Sequence, residues 1–156
     1  PVEARLRELL ERRILILDGA MGTMIQRYRL DEAGFRGTRF ADLAHDVKGN
    51  NELLSLSQPQ LVTEIHEQFL AAGADLIETN TFGANRYKLG ENGQQDKVDE
   101  INWAAVRVAR RVIDGSYKEI ILAGSVGPLG ARLAPLGRVS FAEAQEAFQE
   151  QIQAVA

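Results

Sequence analysis

A wholly apolar run, Ile14-Leu15-Ile16-Leu17, ends abruptly in Asp18-Gly19-Ala20-Met21-Gly22-Thr23, a carboxylate followed by two glycines three residues apart. Four consecutive apolar residues suit a parallel strand buried on both faces, as happens where helices cover both sides of a sheet. The glycines let the chain beyond the strand's carboxyl end turn sharply and come close to a small ligand. An Asp-Gly pair also marks an ordinary tight turn. What decides between the two is whether the arrangement recurs.

It recurs twice. Val2, Leu6, Leu9 and Leu10 form one stripe of an amphipathic helix that leads into the first strand. A short helical pattern runs from Met24 to Leu30, and residues 31–56 carry glycines and asparagines with little periodicity, so they read as a long irregular excursion. Leu61, Val62, Ile65, Phe69 and Leu70 then mark a helix opened by Ser57 and Pro59 and closed by Gly73. The segment from Asp75 to Gly83 passes from an apolar centre into Glu78-Thr79-Asn80-Thr81-Phe82-Gly83 and reads as the second strand with its loop. Val98, Ile101, Ala105, Val108, Ala109 and Val112 predict a helix over 96–113 with Gly115 at its stop. A third strand, Ile120-Ile121-Leu122-Ala123, runs into Gly124-Ser125-Val126-Gly127-Pro128. Ser140 and Glu143 have the spacing of a capping box, and Phe141, Ala144, Phe148, Ile152 and Val155 predict the buried side of a last helix.

Three strand-then-helix units, each with polar or small residues after the strand, are the grammar of an α/β fold whose site gathers at the carboxyl ends of parallel strands. A (β/α)₈ barrel and an open doubly wound sheet share that grammar. The first loop lacks the Gly-x-Gly-x-x-Gly of a dinucleotide site, and all three strands end in loops fit for a ligand, which favours the TIM-type barrel. Three units are too few to close eight strands. The chain is therefore expected to be the amino-terminal portion of such a barrel, with residues 1–156 forming a partial domain.

Composition narrows the chemistry. Eighteen basic residues are interspersed with 22 acidic ones for a net charge of −4, which argues against a nucleic-acid partner. Arg107, Arg110 and Arg111 read as the solvated face of a helix. No apolar stretch approaches the length of a membrane span, and the amino-terminal segment is charged, so a cytoplasmic location is expected. Cysteine is absent, which removes disulfides, thiolate metal ligands and a cysteine nucleophile together.

Leu17-Asp18-Gly19-Ala20-Met21-Gly22-Thr23, Arg39-Phe40-Ala41-Asp42 with Lys48-Gly49-Asn50-Asn51-Glu52-Leu53-Leu54, and Glu78-Thr79-Asn80-Thr81-Phe82-Gly83-Ala84-Asn85 together closely resemble the homocysteine-binding domain of cobalamin-dependent methionine synthases. The resemblance runs from about Ile14 to the end of the chain, and its middle motif falls in the irregular excursion. It implies a (β/α)₈ barrel that binds homocysteine and a zinc ion at its carboxyl face and methylates homocysteine to methionine. In that family three cysteines of later strands hold the zinc, which deprotonates the substrate thiol. Methylcobalamin, recharged from methyltetrahydrofolate, supplies the methyl group from other modules of the same polypeptide. With no cysteine and only His45 and His66, this chain is expected to lack the zinc site and to be inactive alone. The rivals are the equivalent domain of a bifunctional enzyme with methylenetetrahydrofolate reductase, and a non-catalytic binding module derived from the barrel.

The resemblance implies that Asp18, Gly19, Ala20 and Met21 hold the amino-acid end of homocysteine, through amides for its carboxylate and Asp18 for its ammonium. The bland alternative is that Asp18 caps a turn. Alternation sends Glu78 and Asn80 to one side, either as substrate contacts at the barrel mouth or as a network supporting the loops. Ser125, Gly127 and Pro128 either leave room for substrate or pack backbone closely. His66, beside an apolar stripe, reads as a surface or partly buried side chain, and His45 has no partner at metal spacing. Trp103 and Phe148 read as packing against the barrel.

Overall fold

The computed structural model describes residues 2–156. Helix α1 (Val2–Arg12) leads into an extended segment that forms a single parallel bridge, Leu17 to Leu76, rather than a full strand. Strand β1 (Leu76–Glu78) pairs in parallel with β2 (Ile121–Ala123), Ile77 opposite Leu122. Each successive extended segment thus lies beside the previous one in chain order. Helix α5 (Pro59–Ala71) links the first to the second, and α6 (Arg86–Gly90), a 3-10 turn at Gln95–Lys97 and α7 (Val98–Asp114) link the second to the third. Parallel neighbours require such crossovers.

The first segment is bound to β1 by its backbone and, at its start, by the buried carboxylate of Asp75. Asp18 N–H donates to the Leu76 carbonyl (3.0 Å), and Asp75 N–H to that of Ile16 (2.7 Å). The Asp75 carboxylate accepts two bonds from Arg13 (2.7 and 3.0 Å), one from Ile16 N–H (3.0 Å) and the charge of Lys118 (2.9 Å). Those partners, Arg13 foremost, hold Asp75 well below the usual carboxylate range. The expectation of burial on both faces is corrected here. Ile14, Ile16 and Leu17 are 88%, 56% and 50% exposed, because among the described residues only β1 flanks this segment.

Helices α5 and α7 form as their spacing dictates. Leu61, Val62 and Ile65 of α5 and Val98, Ile101, Ala105, Val108 and Ala109 of α7 are buried. One cluster joins them to Met24 and Ile25 of α2 (Met21–Arg27), Phe35 of α3 (Glu32–Arg36) and Leu54 of α4 (Leu54–Ser57). A second, with Ala74, Ile77, Ala109, Ile113 and Ile120, packs the helices on the sheet. Ser57 ends α4 and Gln58 caps α5, so the helix opens at Pro59 rather than Ser57. His66 is fully buried, not superficial, and neither ring nitrogen has a hydrogen-bond partner among the described residues. Burial lowers its pKa to about 4. Trp103 is 59% exposed and lies under the Arg107 guanidinium, 4.5 Å from the ring centroid, rather than packing inward.

The excursion at 31–56 is ordered by side chains that grip backbone. Asp31 caps α3 through Gly34 N–H (2.8 Å). Glu32 accepts the N–H groups of Val47 (2.9 Å) and Lys48 (2.8 Å), while Arg36 donates to the carbonyls of Leu43 (2.5 Å) and His45 (3.0 Å). No hydrophobic period advertises such ties.

Helix α8 (Phe141–Val155) opens with the expected capping box, Glu143 N–H to Ser140 Oγ (3.2 Å) and Ser140 N–H to Glu143 Oε2 (2.7 Å). Its buried side differs from the apolar stripe. Ala144, Ala147 and Gln151 face inward, whereas Phe141 and Ile152 are 76% and 51% exposed. Gln151 fixes that rotation by donating to the Thr81 carbonyl (2.7 Å).

Candidate functional site

The carboxyl ends of the extended segments open onto a cleft of about 280 Å³. Seven residues offered as substrate contacts from the sequence line it: Asp18, Gly19, Ala20 and Met21 from the first loop, Glu78 and Asn80 from the end of β1, and Ser125 from the loop after β2, whereas Gly127 and Pro128 do not. Asn51, Glu52, Thr79, Thr81 and Phe82 complete the wall together with Gly22.

Asp18 joins the first loop to the second. It is 9% exposed, and its Oδ1 accepts the N–H of Glu78 at 2.9 Å. Burial pushes its carboxyl up to about 6, the Glu78 bond opposes the rise, and the Glu78 carboxylate adds to it. Ala20 follows with φ 53° and ψ 32°, a left-handed conformation that costs a non-glycine residue about 1 kcal/mol. As the N-cap of α2 it offers no side-chain acceptor. The first-turn amides of Met21 and Gly22, at the cleft wall, have no helical partner and so remain open to an acceptor from elsewhere.

Asn80 both lines the cleft and supports it. Its Nδ2 donates to the Asn51 carbonyl (2.8 Å) and to Ser55 Oγ (3.3 Å). Glu52 makes a second tie to the same loop, accepting Gly83 N–H at 2.8 Å, and burial raises its pKa. The 48–54 motif is therefore a wall of the cleft. Sequence reading placed that motif in the irregular excursion and did not reach this role, because the contact spans some thirty residues and leaves no period or fixed spacing.

Ser125 is bound through its backbone. Its N–H donates to Thr79 Oγ1 (3.0 Å), and its carbonyl accepts from Thr81 Oγ1 (2.7 Å). Gly127 follows the close-packing alternative: its N–H meets the Phe82 carbonyl at 2.9 Å, and an added Cβ would lie 2.4 Å from that oxygen. The cleft therefore combines three carboxylates, Asp18, Glu52 and Glu78, with open amides and a serine, and among the described residues no lysine or arginine lines it. Such a lining suits a small polar ligand that carries a cationic group.

Zinc does not fit the described residues. The sequence has no cysteine, His45 is exposed, His66 is sealed inside helix packing, and no group of three or more His, Asp or Glu side chains converges at metal spacing among the described residues. No chemical step is assigned to a metal on this chain.

The fold has solved relatives. The homocysteine methyltransferase MmuM from Escherichia coli, in its metallated form, superposes with a TM-score of 0.70 at 22% identity, over 96% of this chain and 52% of that one. The oxidised form gives the same values, and the apo form a TM-score of 0.60 at 23% identity over 47% of its length. The present chain thus spans about half the length of these relatives. The family model for homocysteine S-methyltransferase matches residues 15–156. By that match, which takes in every residue lining the cleft, the chain belongs to the homocysteine S-methyltransferase family.

Proposed function

We propose that this chain is the amino-terminal part of a (β/α)₈ barrel that methylates homocysteine to methionine, and that its cleft holds the amino-acid end of homocysteine. One observation carries the reading: in a chain of this family, residues from four separate segments meet in a single cleft that presents carboxylates and open amides together. Asp18 and Glu78 take the substrate ammonium. The amides of Met21 and Gly22 take its carboxylate. These contacts orient the substrate by its amino-acid end. A zinc ion would supply thiol activation by favouring the thiolate, and the described residues offer no group to hold it. Methylcobalamin, recharged from methyltetrahydrofolate, is the donor that the sequence resemblance supports.

Kinetics of the complete polypeptide that carries this chain test the assignment. Asp18→Ala is expected to raise the KM for homocysteine about tenfold or more, as loss of a charged hydrogen bond does, while metal content stays unchanged. Unaltered homocysteine kinetics would remove Asp18 from the site.

A further inference from the structure

Thr79 and Thr81 are buried, 4% and 0% exposed, at the point where β1 becomes the cleft wall. Their hydroxyl oxygens lie 2.6 Å apart. Each hydroxyl has a single proton to donate. Thr81 gives its proton to the Ser125 carbonyl (2.7 Å), so the contact between the threonines carries the proton of Thr79. Thr79 Oγ1 in turn accepts the N–H of Ser125 (3.0 Å). The directions are thereby fixed around a closed ring: Ser125 N–H to Thr79, Thr79 O–H to Thr81, and Thr81 O–H to the Ser125 carbonyl. Thr79 N–H also donates to the Ala123 carbonyl (2.9 Å), so the ring extends the parallel ladder past the end of β2.

This arrangement does more than satisfy buried groups. Valine would fill either threonine's space, and the polar demand of the ring arises only at Ser125, a residue that lines the cleft. Both backbone groups of Ser125 are consumed, while its hydroxyl takes no part. From this geometry we infer that Thr79 and Thr81 are positioning residues that hold the Ser125 hydroxyl in the cleft to hydrogen-bond a polar group of the bound amino acid. The inference rests on the proposed homocysteine reading.

A double-mutant cycle in the complete polypeptide, with the homocysteine Kd measured by calorimetry, tests it. Thr81→Val and Ser125→Ala are each expected to weaken binding about tenfold, as expected when one buried polar partner is lost. If Thr81 acts through the Ser125 hydroxyl, Thr81→Val in the Ser125→Ala background adds less than about a further twofold. Thr81→Ser, which keeps the hydroxyl, restores binding to near the wild-type value. Additive effects, a Ser125→Ala variant with unchanged Kd, or a Thr81→Ser variant as weak as Thr81→Val would each overturn the inference. Should the wild-type protein not bind homocysteine, the proposed function fails instead, and amide exchange at Ser125 then tests the ring without a ligand. Protection in wild type and Thr79→Ser but not in Thr79→Val supports it, and equal exchange in all three overturns it.

Discussion

Two buried titratable side chains, Asp18 and His66, give this chain opposite responses to pH. His66 is buried neutral with its pKa lowered to about 4, so its contribution to stability is present above its ordinary value and is lost as pH falls from about 6.5 towards 4. Asp18 has its pKa raised to about 6, so its contribution is fullest below the ordinary carboxylate value and is lost as pH rises towards 6. Replacing His66 by Leu removes two unpaired buried nitrogens. The variant should be about 1 kcal/mol more stable at neutral pH, and its stability should change less between pH 6.5 and 4. Urea unfolding followed by hydrogen exchange of α5 peptides checks both, and a variant less stable than wild type at pH 7 would show that the imidazole has a partner after all. Sequence reading missed the depth of His66 because one imidazole beside an apolar stripe looks the same whether a neighbouring helix covers it or not. The place of Asp18 at the end of an extended segment was legible because the pattern of apolar run and polar loop recurs twice more along the chain.

Among the elements, α5, α7 and α8 follow their periodicity or caps, whereas the first strand and the excursion do not. The capping box of α8 makes a direct prediction. Ser140→Ala should cost about 1 kcal/mol, read as faster amide exchange in the first turn of α8 with the rest of the helix unchanged, and unaltered exchange there would mean that Glu143 alone suffices. The rotation of α8 was not legible, because its inward face is set by Gln151 bonded to the Thr81 carbonyl and not by the larger apolar residues. The excursion was unreadable for a related reason. Glu32 and Arg36 order it by hydrogen bonds to backbone carbonyls and amides that can belong to any residue type. Its motif turned out to be a wall of the cleft through Asn51 and Glu52.

On the scale of the molecule, the parallel order of extended segments and the place of the site at their carboxyl ends were both contained in the repeated pattern of apolar run, polar loop and helix. The exposed side chains of Ile14, Ile16 and Leu17 were not, because a run of four apolar residues specifies a preference for burial without saying which neighbour provides it. The same holds for Phe141 and Ile152 on α8. The cleft, by contrast, draws an acidic wall and open amides from the described residues, and it is where the family reading becomes chemical. The most direct test is a crystal structure of the complete polypeptide with homocysteine bound. The account predicts homocysteine in this cleft, its ammonium on Asp18 or Glu78 and its carboxylate at the amides of Met21 and Gly22. Homocysteine bound elsewhere, with these groups facing solvent, would contradict it.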